Sequence, residues 1–340
     1  MHGPAMTTLD RRQFLSFAST PRPSPVPYWV HVAREAMACR FEVTLPQTEP
    51  GGIAAASKAL DEIESLEAQL TVYRDSSEVS YINRNAAEVA VAVEPLLFEL
   101  LLLSQKLHRE TGGAFDISAS PLIRCWGFFH RAGRIPDLHE LHLARQRVGM
   151  SQVLLNAADR TVRFAKHGVE INLGSIGKGY ALDRASANMQ RRGVRNALLS
   201  GGSSSVVAVG GRDGGWVVGV RHPRNAGARV ATLRLKDAAM ATTGAGEQYF
   251  VSEGNRYGHV LDPRSGAPAR GTAGVTVVTS SGAVADALST AFFVGGCELA
   301  NAYCRNHPGV MALVVPENSS ERAQVFGSHA GVVIESLSIE

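Results

Sequence analysis

The chain has 340 residues, 45% of them hydrophobic and 19% charged, which is ordinary for a globular protein and long enough for about two domains or one two-lobed domain. Its 34 basic and 31 acidic residues leave a net charge of +3, and no cluster of lysine and arginine with interleaved aromatic residues marks a nucleic-acid-binding surface. No uninterrupted apolar run reaches the roughly 18 to 20 residues of a membrane span, so we expect neither nucleic acid as a partner nor a transmembrane span.

The four cysteines are dispersed along the chain. Cys39, Cys125, Cys297 and Cys304 form no Cys-x-x-Cys pair and lack the spacing of metal ligands. We therefore expect buried free thiols and neither a zinc site nor a redox motif.

Residues 1–29 are predicted to form a disordered tail. Asp10 begins a segment, Asp-Arg-Arg-Gln-Phe-Leu, that is similar to the start of a twin-arginine export signal, but its apolar part ends after about seven residues, before the prolines of 21–27. The segment is either a vestigial or chance similarity, or a functional signal that would place the protein in the periplasm instead of the cytoplasm. One folded, two-lobed domain is predicted over 30–335.

The first half of the folded part is predicted to mix strands and helices. Residues 30–45 have a strand pattern that is clearest over 37–43, and Ser76 or Ser77 is placed to cap a short helix. A glycine-rich loop is predicted over 111–118. Helices are predicted where apolar residues recur every three or four positions, at 53–70, 95–108 and 138–148.

The second half is richer in strands. A hairpin is predicted over 153–155 and 161–164, followed by a helix over 181–192. Apolar helices are predicted over 283–294 and 299–305. Short β-like runs alternate with Gly, Asn and Pro turns at 197–199, 206–209, 216–220, 230–235, 249–251, 275–279 and 310–315. This order favours an α+β fold of mostly antiparallel sheets with flanking helices over a doubly wound sheet.

A glycine-rich stretch at 171–183 lies where a β-like run gives way to a helix-like run. Gly174, Gly177 and Gly179 would let the backbone approach a ligand, and the first turn of the following helix would present unpaired N–H groups to an anion. Lys178 would add a full positive charge. The stretch indicates a phosphate site, although an ordinary strand-to-helix turn has the same pattern; it is neither a Walker loop nor a good dinucleotide fingerprint.

Asp286 and Thr290 are four residues apart on a predicted helix and therefore share one face. A carboxylate and a hydroxyl near a backbone carbonyl suit a hard cation such as Mg²⁺, which prefers octahedral oxygen ligands. The alternative is structural: Asp286 caps the helix or interacts with its dipole, and Thr290 bonds back to the helix.

His259 ends a strand before a turn that Asp262, Pro263 and Gly266 favour. It is either a structural histidine or, if it lines a cleft, a group that transfers protons near neutral pH.

Taken in order, these segments resemble the ApbE family, the FAD:protein FMN transferases, from about residue 36 to residue 296. The family implies a two-lobed, T-fold-like α+β architecture. The similarity rests on Met37-Ala-Cys, Tyr73 with Ser77-Glu-Val-Ser, Gly113-Ala-Phe-Asp, 173–183, Thr242-Thr-Gly, 259–263 and the segment from Asp286 to Thr290.

The resemblance also implies which residues bind the cation, which are catalytic and which contact FAD. The Ser175 carbonyl, Asp286 and Thr290, with Ser289, are implied to hold Mg²⁺, or Mn²⁺ in its place. Lys178, Asp286 and His259 are the candidate catalytic residues, with His259 transferring the proton. Contacts with FAD are implied for Met37, Tyr73, Ala114, Phe115, Asp116, Asn172, Lys178 and Val260.

Two positions depart from the family pattern. The family usually has Asp where Asn172 stands, and Gly-Gly-Asp where 201–203 reads Gly-Gly-Ser. The lost carboxylates are expected to weaken contacts with the adenine or ribose, or to shift cation affinity, without abolishing the pyrophosphate site.

The implied reaction is a Mg²⁺-dependent transfer of FMN from FAD to a threonine hydroxyl of an acceptor flavoprotein, with AMP as the leaving group. Two alternatives use the same site. One is an FAD pyrophosphatase in which water is the nucleophile and FMN and AMP are the products. The other is a flavin-binding or carrier protein without turnover, which the departures at Asn172 and Ser203 favour.

Overall fold

The structure is a computed structural model of the chain and describes residues 28–211, 214–225, 227–246, 248–318 and 322–338. The predicted tail over 1–29 lies outside the described residues except for its last two positions. The extent of a single domain over 30–335 stays a prediction.

The helices of the described residues are α1 (Gly52–Leu70), α2 (Glu78–Asn85), α3 (Pro95–Glu110), α4 (Ser120–Cys125), α5 (Leu138–Arg145), α6 (Gly177–Arg191) and α7 (Gly282–Asn306). The strands are β1 (Trp29–Ala36), β2 (Cys39–Pro46), β3 (Val91–Ala92), β4 (Val153–Asn156), β5 (Thr161–Phe164), β6 (Ala197–Gly201), β7 (Ser205–Val209), β8 (Trp216–Arg221), β9 (Arg229–Leu235), β10 (Ala238–Gly244), β11 (Tyr249–Ser252), β12 (Asn255–Gly258), β13 (Thr272–Thr279), β14 (Met311–Pro316), β15 (Gln324–Gly327) and β16 (Val332–Leu337).

A large antiparallel sheet forms the centre of the fold. Its eight strands follow the order β1-β2-β6-β7-β10-β13-β14-β15, and each neighbouring pair is antiparallel. The remaining strands form two three-stranded sheets, β16-β9-β8 and β3-β5-β4, and the β11–β12 hairpin. The prediction of an α+β fold with mostly antiparallel sheets is confirmed.

The central strands of this sheet are buried on both faces. Val275 and Val277 of β13 face a core shared with α1, α6 and α7, whereas the next residue, Val278, faces a second core shared with β8, β9 and β16. Every residue of β13 is buried as a result. Burial on both faces explains why this strand is a nearly continuous apolar run in the sequence.

A smaller core joins α4, α5 and the β11–β12 hairpin. The indole N–H of Trp126 donates to the carbonyl of Gly266 at 2.8 Å, which fixes the turn that follows His259. Phe250 and Tyr257 of the hairpin stack with ring centroids 5.1 Å apart. The buried residues of this smaller core are Leu122, Cys125, Trp126, Phe128, Ala144 and Leu261.

Several predicted boundaries are wrong. The strand predicted over 37–43 begins only at Cys39, because Met37 and Ala38 have φ angles of 49° and 57° and form the turn between β1 and β2. The helix predicted to begin at 181 begins at Gly177, so Lys178 lies in its first turn. The sequence patterns also missed α4 and β10; β10 is rich in alanine, a residue depleted in strands.

The two apolar helices predicted near the C-terminal end are joined in α7, with a backbone kink at Gly296 (φ 63°, ψ −160°). By length and composition α7 is long and apolar enough to cross a membrane, although the sequence contains no uninterrupted apolar run of that length. Its residues Leu288, Ala291 and Phe292 are fully buried against the sheet, as in the core helix of a globular fold.

Two of the four cysteines are buried, as predicted. Cys125 and Cys304 are buried, whereas Cys39 and Cys297 are only partly buried.

Candidate active site

One cavity, of about 330 Å³, brings together most of the predicted site residues. The N-terminal turns of α6, the first half of α7, the loop before α4 and the segment after β12 form its walls. Met37 and Phe115 are the predicted site residues that do not line it. Those that do are Tyr73, Ala114, Asp116, Asn172, Ser175, Lys178, His259, Val260, Asp286, Ser289 and Thr290.

Helices α6 and α7 cap each other at this cavity. Asp286 of α7 accepts a hydrogen bond from the Gly179 N–H in the first turn of α6, at 2.6 Å. In return, Asp183 of α6 accepts bonds from the first two N–H groups of α7, Gly282 at 2.6 Å and Ala283 at 3.0 Å, and from the Ser281 hydroxyl at 2.8 Å. Each carboxylate satisfies backbone donors and faces the positive end of the other helix dipole. The two helices, and the site residues they carry, are therefore held in one relative position.

The close crossing of these helices depends on glycine. A Cβ atom at Gly179 would collide with the carbonyl oxygen of Gly282, and one at Gly282 would lie 2.6 Å from the carbonyl oxygen of Gly179. By contrast, a Cβ at Gly177 would meet only Leu173, at 3.9 Å. Gly179 thus serves helix packing, and its N–H is already bonded to Asp286, so the prediction that this glycine exposes backbone to a phosphate is wrong.

Asp286 is a buried carboxylate whose hydrogen-bond donors are neutral groups. It is 7% exposed, and its second oxygen accepts from the Ser205 hydroxyl at 2.6 Å. Burial raises its pKa to about 6, although the Ser205 bond, the charge of Lys178 and the Gly179 bond act in the opposite direction. No lysine or arginine of the described residues forms an ion pair with it within 4.0 Å; Lys178 bonds instead to the Ser204 hydroxyl.

These residues fit a hard cation. Thr290 and Ser289 direct their hydroxyls to the Asp286 carbonyl at 3.4 and 2.9 Å, and Ser289 also bonds to Thr243 at 2.7 Å. Their oxygens, with Ser175, line the same cavity as the buried carboxylate. The side-chain donors that Asp286, Ser289 and Thr290 offer are a carboxylate and two hydroxyls, and oxygen ligands suit Mg²⁺ better than zinc.

His259 is oriented by the backbone. Its Nδ1 lies 3.0 Å from the carbonyl oxygen of Gln248, which also accepts the His259 backbone N–H. A carbonyl can only accept, so Nδ1 carries the proton and Nε2 of the neutral ring is free to take one. His259 lines the cavity in the tautomer that a general base needs.

The glycine-rich loop before α4 is held by Asp116. One oxygen of Asp116 accepts from the Ser118 N–H at 2.7 Å and from its hydroxyl at 2.6 Å, and the other lies 3.2 Å from Nδ1 of His108. Phe115 is fully buried in the large core, so only its backbone is available for the FAD contact that the resemblance implies. The loop is thus shaped by its own side chains before any ligand binds.

An aromatic platform stands at the cavity mouth. Tyr73 is 70% exposed, and its ring centroid lies 4.9 Å from that of Phe129. The guanidinium of Arg124 lies 3.8 Å above the Phe129 ring and is itself bonded to Glu170 at 2.7 Å. Stacking of this kind restricts an exposed side chain, so Tyr73 is positioned by Phe129 and Arg124.

The two departures from the family pattern differ in their structural setting. Asn172 lines the cavity, but its side-chain oxygen accepts the Gly174 N–H at 2.8 Å and so closes the turn before α6. Ser203 is exposed, and the neighbouring Ser204 reaches the cavity in its place.

Sequence reasoning missed Ser204, Ser205, Thr242 and Gln248 as parts of the site. Ser204 and Thr242 line the cavity, Ser205 bonds to Asp286, and Gln248 orients His259. The only signal for them was the Thr242-Thr-Gly motif, whose role could not be derived without its neighbours in space.

The chain is similar to known proteins over most of its length. The model of the ApbE family matches residues 37–314. The FAD:protein FMN transferase of Treponema pallidum (strain Nichols) is 30% identical over 312 residues, which cover 87% of this chain and 84% of that protein. An enzyme of that name transfers a phosphorus-containing group.

Two solved structures share the fold. The ApbE protein of Thermotoga maritima superposes with a TM-score of 0.80 at 29% identity, covering 88% of this chain and 97% of that one. The apo form of the flavinyl transferase ApbE from Pseudomonas stutzeri has a TM-score of 0.76 at 27% identity, covering 91% and 95%. The chain therefore belongs to the ApbE family.

Proposed function

We propose that this protein transfers FMN from FAD to a threonine hydroxyl of an acceptor flavoprotein, in a Mg²⁺-dependent reaction that releases AMP. The observation that carries the proposal is the meeting of a buried carboxylate, Asp286, with Lys178 and His259 in one cavity. The names of its relatives support flavin transfer.

The residues of the chain would act mainly by position and charge. Lys178 lies in the first turn of α6 with its ammonium at Ser204, where it can neutralise a pyrophosphate oxygen. Asp286, the Ser175 carbonyl, Ser289 and Thr290 would hold Mg²⁺. When bound, the cation would neutralise charge on the pyrophosphate.

The transfer balances as a simple displacement at phosphorus. The threonine oxygen forms a bond to the FMN-side phosphorus while the bond from that phosphorus to the bridging oxygen breaks, and AMP leaves with that oxygen. The hydroxyl proton passes to Nε2 of His259, whose Nδ1 proton is held by the Gln248 carbonyl. Phosphoryl transfer demands little covalent chemistry of the protein, so orientation of these groups supplies most of the rate.

The acceptor segment would enter the cavity on the side of Tyr73, whose exposed ring is also the expected contact for FAD. The resemblance to the family implies a segment rich in small residues next to the threonine, and a cavity of about 330 Å³ that also receives the pyrophosphate is compatible with such a segment.

The test is incubation of the purified protein with FAD, Mg²⁺ and a candidate acceptor, followed by intact-mass measurement of the acceptor. A mass increase by one FMN, absent when the acceptor threonine is replaced by valine, is expected. Release of free FMN and AMP with no change in acceptor mass would instead indicate a pyrophosphatase. Binding of FAD without any product would indicate a flavin carrier.

A further inference from the structure

A second cleft, of about 560 Å³, adjoins the candidate active site. The end of α3, the exposed face of α5 and the turn at 262–266 form its walls. Asp116 and Pro263 line both this cleft and the first cavity. Nothing in the proposed transfer uses the residues of α5.

The cleft carries more positive than negative charge. His108, His142, Arg145 and Arg264 line it, and Asp116 is the carboxylate among its lining residues. Asp116 is committed to Ser118 and His108, and Arg264 is paired with Asp262 at 2.9 Å. Arg145 has no carboxylate within 4.0 Å among the described residues, so its charge is available to a ligand.

Arg145 is held in place although it is exposed. Its guanidinium donates to the carbonyl oxygen of Arg264 at 2.8 Å. Its stem lies close against Gly266, where an added Cβ would be 2.9 Å from Cγ and Cδ of Arg145. An arginine fixed in this way loses less side-chain entropy when it binds an anion than a free surface arginine does.

The neighbouring histidine presents a donor on the same face. The side-chain nitrogen of Gln146 lies 2.9 Å from Nε2 of His142 and donates to it, which places the proton of the neutral ring on Nδ1. His142 and Arg145 lie three residues apart on α5, on one side of the helix. Donors on α5 thus face His108 at the end of α3 across the cleft.

We propose that this cleft binds a phosphate monoester through Arg145. A tetrahedral phosphate accepts hydrogen bonds from several directions, which suits the separate donors of Arg145, His142 and Arg264 better than a planar carboxylate does. The volume leaves room for a nucleoside beyond the phosphate. The two sources of this chemistry are AMP, which the proposed transfer would release, and inorganic phosphate; only the choice of AMP depends on the proposed function.

Isothermal titration calorimetry of the FAD-free protein at low ionic strength tests the site with three probes: AMP, inorganic phosphate and adenosine. AMP and phosphate are expected to bind and adenosine is not. Tighter binding of AMP than of phosphate would identify a nucleotide site, and equal affinities would identify a phosphate site. Arg145→Gln should weaken both by about tenfold or more, the scale of one lost charged hydrogen bond, and Arg145→Lys by less.

Two variants provide controls. Arg147→Gln changes the next arginine in the sequence, which does not line the cleft and packs against Gly168, and it should leave phosphate binding unchanged. Lys178→Ala, in the first cavity, should weaken FAD binding but not phosphate binding. Circular dichroism confirms that each variant is folded before titration.

The proposal is overturned if none of the phosphate probes binds at millimolar concentration. It is also overturned if binding survives Arg145→Gln and is lost in Lys178→Ala, since the anion would then occupy the first cavity. Arg145-dependent phosphate binding in a protein that fails to bind FAD would contradict the proposed transfer but would support the phosphate site in this cleft.

Discussion

Replacing Asp286 by asparagine should stabilise the cation-free protein at neutral pH while it removes the response to Mg²⁺. The native-state pKa of this carboxyl is about 6, against 3.8 for the free side chain. At 1.36 kcal/mol per pKa unit, ionisation of the buried group costs the folded state about 3 kcal/mol. The protein would carry this cost because only the ionised form of Asp286 offers the cation a negatively charged ligand.

The sign of the pH dependence follows from the raised pKa. The folded state holds the proton more tightly than the unfolded state does, so the contribution of Asp286 to stability is fully present below about pH 4 and is lost as the pH rises through about 6. Asparagine resembles the protonated acid in shape and charge, and it can still accept from Gly179 and donate to Ser205. The variant should therefore match the parent protein near pH 4 and exceed its stability by at most about 3 kcal/mol above pH 7.

Thermal unfolding followed by circular dichroism, in EDTA and at a series of pH values from 4 to 8, measures this difference. For a chain of this size, about 3 kcal/mol corresponds to a rise in Tm of roughly 4 °C at the upper end of the series. Adding Mg²⁺ at 100 times its Kd should stabilise the parent by about 2.7 kcal/mol and the variant by far less. A constant difference in Tm across the pH series, or equal responses to Mg²⁺, would refute the reasoning.

The other predictions concern packing, catalysis and flavin recognition. Gly179→Ala should lower the free energy of unfolding by about 3 kcal/mol, because the added methyl group forces α6 and α7 apart. Gly177→Ala should change the free energy of unfolding by less than about 1 kcal/mol. Urea unfolding compares the two variants, and equal effects would contradict the packing role of Gly179. His259→Ala should slow FMN transfer by about 10² to 10⁴ with FAD affinity retained, and an unchanged rate between pH 6 and 9 would return this histidine to a structural role. Phe129→Ala should weaken FAD binding by about 1 kcal/mol in a fluorescence titration, since the platform loses its support, whereas Tyr81→Ala, at another exposed tyrosine, should not; equal losses would argue against the platform.

Local patterns predicted most helices and strands because their causes lie nearby in the chain. The apolar spacing over 53–70 gives α1 directly, and Ser77 caps α2 as predicted, accepting the Ser80 N–H. β10 escaped detection because its burial between β7 and β13 outweighs the weak strand preference of its alanines.

The role of a residue was harder to predict where its partner is distant in sequence. Gly179 has the local appearance of a phosphate-loop glycine. Glycine is required there because the backbone of Gly282 lies too close for a side chain, and the Gly179 N–H donates to Asp286 of α7. Asp183 drew no attention in the sequence for the same reason, because its capping function exists only once α7 is placed against α6. Resemblance to the family supplied the grouping of residues, and only the three-dimensional arrangement supplied their hydrogen-bond partners.

The ratio of AMP released to acceptor modified tests the central claim most directly. The purified protein is incubated with FAD, Mg²⁺ and a threonine-containing acceptor, AMP is quantified by chromatography, and FMN on the acceptor is quantified by intact mass. We predict one AMP for each FMN attached, with both products lost together in Asp286→Asn. Release of AMP with free FMN and an unmodified acceptor would contradict the account, because water and not threonine would then be the nucleophile of this site.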